Sequence, residues 1–156
     1  MLPSAHYCSG VIIFSLMSML GVIPKSFPYL TLMIMLSVII DLDFIYSPMH
    51  RELLTHTLIF WGCIVGAIIT VWPHLWIIAP PIFFHLLLDM VDWGIAIFYP
   101  FSRKKYGLKM VQAHLKKNMK PEGGKVYIEA YISNPVMIVF ELLIMSVSII
   151  LLAGIS

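Results

Sequence analysis

The stretch PVMIVFELLIMSVSIILLAGI, residues 135–155, carries one charged group, Glu141, in 21 positions. A helix of that length rises about 30 Å, the thickness of a bilayer's hydrocarbon layer, and it has no polar face to turn toward water. This constrains the fold more than any motif, and the rest of the chain repeats it. Apolar runs occupy residues 7–23, 28–40, 57–72 and part of 74–99, with Pro24, Pro28 and Pro73 at their limits. Of the 156 residues 60% are apolar and 12% charged, too little polar surface to cover a soluble domain of this size. The expectation is an all-α fold: a polytopic helical membrane protein with about five transmembrane helices.

The second run is long enough to span only if it continues through Asp41 toward Tyr46. The fourth contains Pro80 and Pro81, so its helix starts either before them or at them. Cys8 and Cys63 lie in apolar runs without CxxC spacing and signal neither a disulfide framework nor a thiolate metal site. The first run lacks a basic leader and a small-residue cleavage motif, and is expected to stay in the mature protein. There is no internal repeat. We expect one membrane domain over 1–156, with a core at 1–102, a basic segment at 103–134 and a last transmembrane helix at 135–156.

Eight of the ten basic residues, Arg103, Lys104, Lys105, Lys109, Lys116, Lys117, Lys120 and Lys125, fall in one segment. The positive-inside rule places it in the cytoplasm of a cell-membrane protein. Counting back across five spans puts the N-terminus and the 41–56 stretch on the same side. The basic segment reads as a topology signal in contact with anionic lipid headgroups, and nucleic acid is not an expected partner.

Six of the eight acids, Asp41, Asp43, Glu52, Asp89, Asp92 and Glu141, lie within or at the ends of apolar runs. Each charge left facing lipid would cost roughly 2.5–3.5 kcal/mol, so these groups must be paired, neutralised or metal-bound. His6, His50, His56 and His85 fall near them along the chain or on the same membrane side; His74 and His114 do not. In HLLLD, His85 and Asp89 share a helix face and can either hydrogen-bond there or bind a metal together. In DLDFIYSPMHRELLTH, Asp41, Asp43, His50 and His56 are either turn and cap residues salt-bridged to Arg51 or further ligands. The shared membrane side of both stretches and His6 favours a His/Asp metal site at the cytoplasmic end. Imidazole with carboxylate suits zinc, with manganese or iron as alternatives, and one or two ions.

The segments DLDF, HRELLTHTL and HLLLDMVDWGIAIFYPFS resemble the YdjM-like family of membrane-bound metal-dependent hydrolases. That family's pattern runs roughly LPDxDH, HRGxTHSL, then HLLLDxxTxxG with a PFS-like tail. The resemblance covers residues 6–102 and takes in His6, ahead of the first apolar run. It implies metal ligation by His6, Asp41 or Asp43 or both, His56, His85 and Asp89, with His50 and Arg51 close by. The chain departs from the pattern at Ile40, at Phe44, in a His50-to-His56 spacing longer by one residue, and at Asp92 in place of a threonine. The family is in turn distantly similar to zinc-dependent phospholipase C and P1-type nucleases.

These residues suit hydrolysis by a metal-activated water. Arg51 is a candidate anion clamp, and Glu52, Asp92 or Asp43 candidate bases or partners that orient the imidazoles. Trp93, Phe98, Tyr99 and Phe101, followed by basic residues, would form a rim for a substrate with an anionic head and an apolar body, such as a lipid-like phosphoester. Membrane lipids are therefore expected partners, and self-association is left open. Competing readings are an ion or proton transporter and a non-catalytic protein whose helices a metal fastens. Glu141 stands outside the motif, as either a functional carboxylate or one hydrogen-bonded to a neighbouring helix.

Overall fold

The computed structural model describes residues 3–45, 54–91, 94–108 and 131–155, the side chains of Pro3 and of residues 43–45 excepted. The fold is all-α, and among the described residues the one sheet-like contact is an antiparallel bridge between Ile95 and Tyr106. Among the described residues it has five α-helices: α1 Pro3–Met19, α2 Phe27–Val38, α3 Leu58–Val71, α4 Ala79–Val91 and α5 Pro135–Ile155. Short 3-10 segments extend three of them, Ile39–Ile45 after α2, Leu54–His56 before α3 and Pro73–Ile78 before α4.

Their limits follow from local chemistry. α1 ends at Gly21, whose φ of 70° opens the left-handed region. There Val22 N donates to Met17 O at 2.9 Å and Gly21 N to Ser18 O at 3.1 Å, the paired bonds of a glycine C-cap. α3 starts on Thr57, whose hydroxyl accepts from Phe60 N at 3.2 Å and donates to Leu54 O at 2.8 Å. α5 starts on Asn134, which accepts from Val136 N at 3.0 Å. Pro80 and Pro81 sit in the first turn of α4, where an absent N–H leaves no helical bond unmade. The 3-10 segment before them keeps Pro73–Val91 one continuous apolar rod.

α1 packs chiefly against α2 and α5 and also touches α4. Gly10 sets the α1–α2 distance: a Cβ there would lie 2.6 Å from Ile34 Cα and 2.8 Å from Met33 O. Ala5, Ile12, Leu88, Tyr131, Met137 and Ile144 join α1, α4 and α5 in one core; Ile40, Val65, Ile82, Leu86 and Ile95 fill a second, around α3 and α4.

Among the described residues two helices, Pro73–Val91 and Pro135–Ile155, are long and apolar enough to cross a membrane; the other three apolar helices there run 10–17 residues. Two such helices stand where about five spans were expected from the sequence: the shorter apolar runs, bounded by Pro24, Pro28 and Pro73, form helices below spanning length. α1 also begins earlier than expected, at Pro3, which brings His6 inside the helix rather than ahead of it.

Candidate metal centre

Five side chains from four parts of the fold converge at one end of the bundle. His6 comes from the first turns of α1, Asp41 from the 3-10 extension of α2, His56 from the turn before α3, and His85 and Asp89 from α4. The side chains of His6, His56, His85 and Asp89 are 0% exposed and that of Asp41 is 21% exposed. Every imidazole presents Nε2 to both carboxylates. Asp89 lies 3.4 Å from His6, 3.5 Å from His56 and 3.1 Å from His85; Asp41 lies 3.8, 3.5 and 3.6 Å from the same three. The rings of His6 and His85 stack, with centroids 4.0 Å apart.

Local structure aims these groups. His85 and Asp89 are four residues apart on α4, so they stand one above the other on a single face. His85 Nδ1 lies 2.6 Å from Ser37 O. A carbonyl only accepts, so Nδ1 carries the proton and the Nε2 lone pair is turned inward. Trp61 Nε1 donates to Thr55 O at 2.7 Å and pins the turn that carries His56. Gly94, at φ 69°, lets the chain turn back after α4, its N–H donating to Asp89 O at 3.2 Å. The returning loop pairs Ile95 with Tyr106, and Ile97 O accepts from Leu58 N at 3.2 Å, tying the ends of α3 and α4 that bear the ligands.

The donor set fits a divalent cation. Ligand atoms about 2.0–2.2 Å from one ion lie about 3–3.5 Å from each other, close to the separations seen here. His6, Asp41, His85 and Asp89 offer ligand atoms all within 4.8 Å of one another. His6 Nε2, His85 Nε2 and Asp41 Oδ1 are buried and, beyond these imidazole–carboxylate contacts, have no hydrogen-bond partner. A buried polar atom left that way costs about 1–3 kcal/mol, and a cation removes the cost at all of them together. The His6, Asp41, His85 and Asp89 group can thus bind a divalent metal, and His56 reaches the same carboxylates.

No family model, curated protein or solved structure matches this chain. The centre therefore stands on its own geometry.

Of the other candidates, Asp43 has its backbone in the 3-10 turn with its side chain outside the described residues, and His50, Arg51, Glu52, Asp92 and Trp93 lie outside them altogether. His74 is exposed beyond α3, away from the cluster. Three contributors had no signal in the sequence: the Ser37 carbonyl, the Thr55 carbonyl and the close approach at Gly10. Glu141 belongs to a separate cluster. It accepts from Tyr131 Oη at 2.6 Å and from Ser4 Oγ at 3.0 Å, joining α5 to α1.

Proposed function

We propose that the protein is a membrane-embedded, metal-dependent hydrolase acting on a phosphoester of lipid-like character. The convergence of three imidazole Nε2 atoms and two carboxylates in a buried cluster carries this reading. A divalent cation, zinc being the best match to this donor set, supplies Lewis acidity and an acidified water, the chemistry of ester hydrolysis. The resemblance of the HLLLD and HRELLTH segments to the YdjM-like hydrolases points the same way.

Several observations support a multi-pass membrane setting. Apolar side chains are exposed along all five helices, among them Leu16, Met35, Leu58, Leu87, Leu142 and Ile150. α2 falls short of a span by itself, but with its 3-10 extension, which carries Asp41 at the ligand end, its 12 and 7 residues rise roughly 32 Å at about 1.5 and 2.0 Å per residue. The loop after α4 supports a cytoplasmic orientation of the ligand end. Arg103, Lys104 and Lys105 are exposed on it and its backbone is bonded to Asp89 O, so the basic residues lie near the ligands, in keeping with the positive-inside rule. Phe98 and Phe101, 45% and 85% exposed on the same loop, suit the headgroup level, where a substrate with an anionic head and an apolar body would arrive.

Elemental analysis of the detergent-purified protein, followed by a zinc- or manganese-supplemented phosphoester screen against Asp89→Asn, tests the reading. Bound metal with turnover that Asp89→Asn abolishes is the expected result. Metal-dependent ion flux in liposomes without hydrolysis would replace it with transport, and unfolding on metal removal with a blank screen would leave a structural metal.

A further inference from the structure

Resting on the metal-centre reading above, we propose that the cluster holds two divalent cations, bridged by the carboxylates of both Asp41 and Asp89, with His6 on one ion and His56 and His85 on the other. The observation is how the carboxylate oxygens are shared. His6 Nε2 approaches Asp41 through Oδ2 and Asp89 through Oδ1. His56 Nε2 and His85 Nε2 approach the opposite oxygens, Oδ1 of Asp41 and Oδ2 of Asp89. One ion bound by one oxygen from each acid would draw all three imidazoles toward the same pair of oxygens. Here the six contacts divide without exception into two sets, each with its own oxygen from each carboxylate.

That division is what two bridging carboxylates produce. Two ions about 3.5–4 Å apart are held when each carboxylate gives one oxygen to each. The buried Nε2 atoms of His6 and His85, neither hydrogen-bonded, point into the two halves. Among the described residues one ion has three ligands, His6, Asp41 and Asp89, and the other has four, His56, His85, Asp41 and Asp89. The ion on His6 is the more open and the more weakly held, and its free positions are where substrate would enter. Two aspartates offset two of four positive charges, so the pair favours an anionic ligand, and a phosphate ester can span both ions.

Manganese titration of the metal-stripped, full-length protein in detergent tests this. The expected result is two equivalents per chain with unequal affinity, and an electron paramagnetic resonance signal from two exchange-coupled ions. His6→Ala should keep the tighter equivalent and convert the spectrum to that of an isolated ion. His6→Gln serves as a second variant, and the wild-type spectrum decides the matter if neither variant folds. A single equivalent with an isolated-ion spectrum in the wild type would overturn the two-ion arrangement while leaving a metal centre in place. No manganese or zinc retained at all would overturn both.

Discussion

Asp89 and Glu141 are both carboxyl groups buried among apolar helices, and their surroundings treat them in opposite ways. Glu141 is met by hydroxyl donors, Tyr131 at 2.6 Å and Ser4 at 3.0 Å, which serve both of its oxygens within the protein. Asp89 is met by three imidazoles at 3.1–3.5 Å, all presenting the ring nitrogen that a metal uses. The first arrangement is complete as a hydrogen-bonded staple; the second leaves His6 Nε2, His85 Nε2 and Asp41 Oδ1 buried without hydrogen bonds. Burial of a carboxylate in a membrane helix therefore does not by itself mark a functional site. The identity of the facing atoms does.

The largest break between the two clusters should come from metal removal. A cation present at about a thousand times its Kd contributes about 4 kcal/mol to folding, which for a chain of this size is a fall in Tm of roughly 8–16 °C on chelation. Differential scanning fluorimetry in detergent, before and after chelator, measures it. Glu141→Leu should show the same chelator-dependent fall as wild type, whereas Asp89→Ala should show none. A chelator shift missing from the wild type would put the two clusters in the same class.

Gly10→Ala should act next most strongly, and on the metal side of the comparison. Its Cβ would meet the α2 backbone at 2.6 Å, and backbone is not able to swing aside as a side chain would. The helices must separate, at a cost of about 1–3 kcal/mol. Since α1 carries His6 and α2 leads to Asp41, metal affinity measured by competition with a chromophoric chelator should fall with stability. Unchanged affinity would mean that the cluster adapts to helix spacing.

Much of this difference could be read from the chain, and the part that could not has a physical reason. The His85–Asp89 spacing fixes a shared helix face whatever surrounds it, and the five apolar runs mark the five helices. The meeting of His6 with the others depends on how α1 crosses α2, which turns on the missing Cβ of Gly10, and no spacing encodes that. The orientation of His85 depends on the Ser37 carbonyl, a group every residue has. Glu141 had two readings because its partners, Ser4 and Tyr131, are 137 and 10 residues away. The first apolar run and α1 have the same length but not the same register, since hydropathy registers side chains, whereas the helix stops at the backbone turn of Gly21.

Glu141→Gln should give the smallest of these effects and probes the staple alone. The amide keeps one acceptor oxygen, so one of the two hydroxyls retains its partner while the other faces an NH2 and must turn to accept from it. The net loss is about 1–2 kcal/mol, because a buried hydrogen bond is weakened and no cavity is made. Thermal unfolding should register it, and metal content by elemental analysis should stay at the wild-type value. Glu141→Leu removes the bonds from Tyr131 and from Ser4 together, so it should cost more than the glutamine. If the glutamine variant instead lost metal while remaining folded, the staple would be holding His6 in place through the first turn of α1, and the two clusters would be one coupled unit.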